Sequence, residues 1–261
     1  MSIVERNNVR RRGRGETAMV FAHGFGCDQT MWRYVAPAFE QDFETIVFDY
    51  VGAGGSDITA YDPRKYAKLD GYADLAEILH ALNLKEVVLV AHSVSAMIGV
   101  LAAARFPHLF NKLVLVGPSP RYIDTEGYVG GFTQSQIDEL LSFLDDNPMA
   151  WSQTMAPAIM GNADRPELGE ELTASFCRLD PRIAKDFARA TFTSDNRADL
   201  AAIRVPTLVI QCSDDIVAPD VVGEYVHAHI PTSELVRLKA QGHCPNLSAP
   251  DVLIKAIRAF V

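Results

Sequence analysis

The sequence predicts an α/β protein: a mostly parallel sheet with helices on both faces and a helical insertion over one edge. Along most of the 261 residues, short apolar runs of strand length alternate with helical patterns, which is the pattern of parallel sheets. Between residues 118 and 197 the chain offers helical patterns and no convincing strand. We therefore expect a core formed by residues 1–117 and 198–261, and a helical cap formed by residues 118–197.

Six apolar segments have the length and composition of buried strands. They cover residues 18–22, 45–48, 86–91, 113–116, 207–211 and 234–238. Positions 87–90 are all valine or leucine, which is typical of a central parallel strand. Core helices are predicted over residues 31–40, 69–82, 94–106, 221–228 and 249–260. Cap helices are predicted over residues 135–144, 151–160, 167–176 and 183–191.

The charge and the composition of the chain limit the classes of partner and the cellular compartment that we expect. The formal net charge is −9, and an acidic chain repels nucleic acid and anionic membrane surfaces, so we expect neither as a partner. The basic cluster at residues 10–14 is interpreted as a solvated turn between two early strands.

The sequence also indicates the compartment. No apolar run is long enough to span a bilayer, and the first residues lack the apolar region of a signal peptide. The four cysteines are scattered without a C-x-x-C pair. We expect a cytoplasmic protein with reduced thiols.

A serine stands between a predicted strand and a predicted helix. Ser93 follows the strand directly, and a helix of small residues begins after it. This is the setting of a nucleophile elbow, in which the residues two before and two after the serine must be small; here they are Ala91 and Ser95. A serine that merely opens the helix as its N-cap is the alternative interpretation of this segment.

An acid and a base follow in the order that such a serine requires. The strand at 207–211 runs into Asp214 and Asp215, and a loop after the next strand carries His243. Both positions lie at the carboxyl ends of strands, where open α/β sheets bind ligands. We prefer Asp215 as the acid, because it begins the stretch that leads into the next helix, whereas Asp214 faces solvent or caps a turn. His92 is expected to point away from Ser93.

Two further features complete the predicted site. The glycines around Phe25 let the backbone approach the serine, so the N–H groups of Phe25 and Val94 are the expected donors to an oxyanion. The glycine-rich segment at 52–56 lacks the third glycine of a dinucleotide loop and opens no helix, so nucleotide binding is disfavoured. His227 and His229 lie two apart on a helix and make a poor metal pair. We expect no metal and no cofactor.

With these residues in place, the chain resembles a family of small α/β-hydrolases through nearly its whole length. This family includes the bacterial stress regulator RsbQ and the plant karrikin and strigolactone receptors. The similar segments are Gly24-Phe25-Gly26-Cys27-Asp28-Gln29, Phe48-Asp49-Tyr50-Val51-Gly52, His92-Ser93-Val94-Ser95-Ala96-Met97-Ile98-Gly99, Pro118-Ser119-Pro120-Arg121-Tyr122, Gly130-Gly131-Phe132, Gln211-Cys212-Ser213-Asp214-Asp215 and Gly242-His243-Cys244-Pro245. The chain departs from the family at Ala91, where the family usually has glycine.

The resemblance implies an α/β-hydrolase fold with a four-helix cap inserted after the sixth strand, and a deep apolar pocket beneath the cap. It also implies a small serine hydrolase with a signalling role. The bacterial relatives work with a partner phosphatase that carries a sensory domain, and the plant relatives bind a butenolide and recruit protein partners. The resemblance further supports Asp215 as the acid.

The cap is rich in aromatic residues, and among these we predict Phe132, Trp151 and Phe187 as pocket-lining residues. No basic cluster in the cap suggests a phosphorylated substrate, so a small, mostly apolar ester or lactone is the expected substrate. A ligand-dependent regulator with slow hydrolysis is the alternative. Carbon–carbon bond hydrolysis or perhydrolysis by the same three residues also stays open, because one scaffold supports many functions. A dehalogenase is disfavoured, since that chemistry uses an aspartate at the position of Ser93.

Overall fold

The computed structural model describes residues 1–261 and contains one seven-stranded sheet. Its strands are β1 (Arg10–Gly13), β2 (Ala18–Ala22), β3 (Glu44–Val47), β4 (Val87–His92), β5 (Phe110–Val116), β6 (Thr207–Asp214) and β7 (Ser233–Gln241). Their order across the sheet is β1-β3-β2-β4-β5-β6-β7. Only β1 runs antiparallel to its neighbour, so the sheet is mostly parallel, as predicted.

The helices cover both faces of this sheet. They are α1 (Ile3–Arg6), α2 (Asp74–Ala81), α3 (Val94–Arg105), α4 (Gln134–Asp146), α5 (Pro148–Met160), α6 (Pro166–Cys177), α7 (Pro181–Phe192), α8 (Asp220–His229), α9 (Pro245–Ser248) and α10 (Pro250–Phe260). Two apolar clusters of similar size, with 37 and 35 buried residues, contain alternate residues of the central strands. Every residue of β2 and β4 is buried, because both faces of these strands are covered. None of the helices combines the length and the apolar character that a membrane crossing requires.

Helices α4 to α7 follow one another without an intervening strand between β5 and β6. The predicted position of this insertion, after the sixth strand, is wrong by one: five strands precede it, because β1 is the only strand ahead of β2. All four predicted cap helices are present, with shifted ends. We keep the division into a core (1–117 and 198–261) and a cap (118–197) as a proposal.

Three further predictions differ from the structure. Residues 31–40 form no α-helix but two short 3-10 turns, Gln29–Trp32 and Ala36–Phe39; Pro37 has no N–H to continue a helix through this segment. The helix predicted over 69–82 begins as a 3-10 turn, and α2 itself starts at Asp74. The basic cluster is not a turn but the exposed edge strand β1, where charged side chains discourage pairing with another chain.

Candidate active site

Ser93 occupies a strained turn between β4 and α3. Its backbone has φ 57° and ψ −124°, a conformation that a residue with a side chain rarely adopts. The backbone N–H of Ser93 donates to the carbonyl of Val116 at 2.8 Å, which holds the turn in place. Ser93 stands at the N-cap position of α3, but its side chain makes no capping hydrogen bond to the helix, so capping does not occupy its hydroxyl. The strain aims the Ser93 hydroxyl at the neighbouring loops rather than along its own helix.

The three residues singled out in the sequence lie in hydrogen-bond contact. The Ser93 hydroxyl lies 2.8 Å from Nε2 of His243, and Nδ1 of His243 lies 2.6 Å from Oδ2 of Asp215. Oδ1 of Asp215 accepts the backbone N–H groups of Val217 at 2.8 Å and Ala218 at 3.1 Å. Since Asp215 is ionised, Nδ1 of His243 carries the proton that is donated to it, and Nε2 is left to accept from Ser93. Asp214 forms no hydrogen bond with His243; its backbone carbonyl accepts the N–H of Gly242 at 2.9 Å.

Asp215 is held in its charged form. Its burial alone would raise the pKa, but the His243 ring and the two backbone N–H donors outweigh burial, so the pKa of Asp215 lies below its ordinary value. A buried carboxylate with both oxygens engaged fixes the tautomer and the orientation of the imidazole that it contacts.

The backbone of the loop after β2 passes very close to Ser93. A Cβ atom on Gly24 would lie 2.6 Å from Nδ1 of His92 and 3.3 Å from Cβ of Ser93, so only glycine fits. The N–H of Phe25, the next residue, donates no hydrogen bond within the protein. Val94 is the first residue of α3, so its N–H has no acceptor inside the helix. Both predicted oxyanion donors are therefore uncommitted.

A buried hydrogen-bond network supports this loop, and the sequence did not reveal it. The Ser95 hydroxyl donates to the carbonyl of His23 and accepts from the Tyr50 hydroxyl at 2.9 Å. Nε2 of His23 accepts the N–H of Tyr50 at 3.2 Å, and its Nδ1–H donates to the carbonyl of Gly24 at 2.9 Å. The second serine of the elbow thus ties α3 to the loop that carries Phe25.

His92 also has a task that the sequence did not show. It makes no hydrogen bond to Ser93; instead its Nε2–H donates to the backbone carbonyl of His243 at 2.7 Å. Burial, with a smaller contribution from the neighbouring His243 ring, lowers the pKa of His92 to about 3. His92 is thus a neutral, buried hydrogen-bond donor that fixes the backbone carbonyl of His243.

A small cavity of about 30 Å³ adjoins Ser93 and is mostly apolar. Its lining residues are Phe25, Cys27, His92, Ser93, Tyr122, Ile159, Leu172, Phe176, Thr191, Phe192, Val217, His243 and Cys244. A second apolar cavity of about 130 Å³ lies among the cap helices and shares Phe25 and Phe176 with the first. The rings of Phe25 and Phe176 pack edge to face at 5.8 Å, so this aromatic pair forms a wall between the two cavities.

None of the three predicted pocket residues lines the cavity at Ser93. Trp151 lines the second cavity and stacks on Phe176 at 5.5 Å. Phe187 is buried in the core and stacks on Tyr72 at 4.0 Å. Phe132 is half-buried where the chain enters the cap, in a bridge with Ile123. The prediction of Phe132, Trp151 and Phe187 is corrected accordingly.

The remaining candidate sites have a structural explanation. The glycine-rich segment at 52–56 curls around a buried carboxylate: the N–H of Gly55 and the side-chain amides of Asn8 and Gln29 donate to Asp49. A negative charge at the centre of this loop would repel a phosphate. The structure contains no cluster of three or more His, Cys, Asp or Glu side chains arranged to hold a metal ion.

Comparisons with known proteins find relatives along nearly the whole chain. A model of the alpha/beta hydrolase family matches residues 19–256. The chain is 39% identical over 259 residues to strigolactone esterase D14 of Arabidopsis thaliana, covering 98% of this chain and 97% of that protein. It is 38% identical over 260 residues to the karrikin insensitive 2 receptor CA of Petunia hybrida, covering 98% and 96%. A hydrolase from Oleispira antarctica superimposes with a TM-score of 0.96 at 40% identity, covering 99% of this chain and 95% of that one.

Proposed function

The chain belongs to the alpha/beta hydrolase family, and on that premise we propose that it is a serine hydrolase that cleaves a small, mostly apolar carboxylic ester or lactone. The observation that carries the proposal is the continuous contact from Asp215 through His243 to the hydroxyl of Ser93. A serine hydroxyl is a poor nucleophile at neutral pH and needs an adjacent base, which this contact supplies.

In the first half of the proposed reaction, Oγ of Ser93 attacks the carbonyl carbon and its proton passes to Nε2 of His243. The N–H groups of Phe25 and Val94 hold the oxyanion of the tetrahedral intermediate. His243 then returns the proton to the leaving alkoxide, and the acyl group stays on Ser93. Asp215 remains ionised and stabilises the imidazolium throughout.

In the second half, a water molecule attacks the acyl carbon while His243 takes its proton. Collapse of the second tetrahedral intermediate returns that proton to Oγ of Ser93 and releases the carboxylic acid. For a lactone, the alcohol and the acid are two ends of one molecule. Loss of one oxyanion donor typically lowers such a rate by about 100- to 1000-fold.

The surroundings of Ser93 support an uncharged, apolar substrate. Nine of the 13 residues that line the adjoining cavity are hydrophobic, and none is lysine or arginine. A carboxylate or phosphate on the acyl group would find no cation to replace its water. The cavity of about 30 Å³ accepts only a small group next to the reacting carbon. A larger apolar group requires the Phe25–Phe176 wall to move and the second cavity to open.

A ligand-dependent regulatory protein with slow hydrolysis is the second candidate. One observation favours it: a relative that aligns along nearly the whole chain bears the name of a receptor. In this case the biological output is binding of a protein partner, such as a sensory-domain phosphatase or another signalling protein.

A panel of p-nitrophenyl esters and small lactones tests the first proposal. We expect the parent protein to hydrolyse short-chain esters and the Ser93→Ala variant to lose about 10⁴-fold or more in kcat. Ser135→Ala, which removes an exposed hydroxyl on α4, is the matched control and should keep full activity. Equal rates for the parent and Ser93→Ala would refute the proposal.

Turnover separates the two candidates. The regulator is supported if kcat stays far below about 1 s⁻¹, the lower end of typical enzymes, while a lactone that is hydrolysed slowly still shifts the melting temperature of Ser93→Ala. Rapid turnover of a small ester would count against it.

A further inference from the structure

The backbone of His243 is held by the cap. Its N–H donates to the carbonyl of Ile159 at 2.9 Å, and Ile159 belongs to the last turn of α5. The last carbonyls of a helix accept no hydrogen bond from within the helix, so they need donors from elsewhere in the protein. His92 holds the carbonyl side of the same residue. The proposed base is thus fixed between a core side chain and the end of a cap helix.

The end of α5 and the loop of His243 pack backbone against backbone. Gly242 has φ +81°, and a Cβ on it would lie 1.8 Å from the carbonyl oxygen of Met160. A Cβ on Gly161 would lie 3.1 Å from Cα of Gly242. With no side chain between them, a displacement of this helix end moves the loop directly.

One side chain fastens this contact. Nδ2 of Asn162 donates to the carbonyl of Met160 at 2.6 Å and to that of Gln241 at 3.0 Å, so both of its hydrogens are used. Oδ1 of Asn162 accepts from Arg165 at 2.5 Å, and Arg165 also donates to the carbonyl of Ser248 at 2.8 Å. Asn162 is only 7% exposed. Asn162 therefore connects the end of α5 directly to Gln241, which precedes His243. Through Arg165 it also connects the cap to Ser248, which follows His243.

We propose that Asn162 is a positioning residue for the base: it fastens the last turn of α5 to the loop of His243, so that the position of the cap sets the geometry between His243 and Ser93. The inference rests on the role proposed for His243. Because Ile159 lines the cavity at Ser93 and also holds the N–H of His243, a ligand that displaces α5 moves the base. Occupancy of the pocket is thereby coupled to the reactivity of the serine.

The test compares Asn162→Ala and Asn162→Asp with the parent in hydrolysis of p-nitrophenyl acetate. The aspartate keeps the shape but loses both N–H donors, so it separates a lost hydrogen bond from a cavity. Both variants should lower kcat by about tenfold to a hundredfold, the effect of a displacement of about 1 Å, with KM little changed. Asn147→Ala, which removes the N-cap at the other end of α5, is the matched control and should keep kcat within about twofold.

A second measurement does not depend on catalysis. The Nδ1 proton that His243 shares with Asp215 should give a downfield NMR signal that shifts or broadens in both Asn162 variants and stays unchanged in Asn147→Ala. Unchanged kcat and an unchanged signal in both Asn162 variants would overturn the inference, even if their melting temperatures fall. If the parent hydrolyses no ester, the proposed function fails, and the NMR comparison alone decides the role of Asn162.

Discussion

Replacing His92 with glutamine should reduce the amount by which the free energy of unfolding falls at acidic pH. His92 is fully buried behind the site: Nε2 donates to the carbonyl of His243, and Nδ1 has no hydrogen-bond partner. Its pKa in the folded protein is about 3, whereas a histidine in an unfolded chain has a pKa of about 6.5. Glutamine cannot titrate, and its amide nitrogen has the reach to replace Nε2 as the donor.

The sign and the size follow from the two pKa values of His92. Because the folded-state pKa is depressed, the stabilisation is fully present above the unfolded pKa of about 6.5 and is lost as the pH falls toward about 3. In this window the unfolded chain binds one proton that the folded protein does not. Each pH unit well below 6.5 therefore removes about 1.4 kcal/mol, and because little is lost between pH 7 and 6.5, the fall from pH 7 to pH 4.5 removes roughly 2 to 3 kcal/mol.

Urea denaturation of the parent and of His92→Gln at pH 7 and pH 4.5 measures this difference. The variant should lose roughly 2 to 3 kcal/mol less between the two pH values than the parent does. His23 is also buried, and burial lowers its pKa. Because His23 is present in both proteins, its contribution to the pH dependence cancels in the comparison. Equal losses in the two proteins would refute the view of His92 as a neutral, buried donor.

Three more predictions, made with four substitutions, probe the site. Asp215→Asn should lower kcat by about 10⁴-fold while Asp214→Asn leaves it within about twofold, as measured with p-nitrophenyl acetate; similar losses in both would contradict the choice of Asp215. Gly242→Ala should destabilise the protein and reduce activity, because its Cβ would lie 1.8 Å from the Met160 carbonyl; a variant with the parent's melting temperature would contradict that packing. Phe176→Ala should join the two cavities and raise the octanoate-to-acetate preference about tenfold or more; an unchanged preference would show that the wall does not limit the substrate.

The fold and the central residues were accessible from the sequence because their signals are local. Buried parallel strands are continuous apolar runs, and Ser93, Asp215 and His243 each follow such a run at the edge where ligands bind. The choice of Asp215 over Asp214 needed only the stretch that follows it. The strained backbone of Ser93 was implied by the small residues beside it.

The pocket was not accessible, because its lining depends on how the cap helices are placed. Phe187 and Phe192 both lie on the buried side of α7, yet only Phe192 reaches the cavity. Helical periodicity identifies a buried face but does not say whether a ring on that face meets the core or a void. The same limit explains why Phe176 was not singled out.

The supporting contacts were hidden for a different reason. His92 and Asn162 act on backbone carbonyls that lie 151 and 79 residues away in the chain. A carbonyl acceptor leaves no residue-type signature at the accepting position. Such contacts emerge only when the fold brings the segments together.

The central claim, that Ser93 is a nucleophile activated by His243, is tested most directly by the mass of the intact protein after reaction with a small sulfonyl fluoride. We predict a single adduct on the parent, no adduct on Ser93→Ala and much slower labelling of His243→Ala. An unlabelled parent, or an adduct that persists in Ser93→Ala, would contradict the claim.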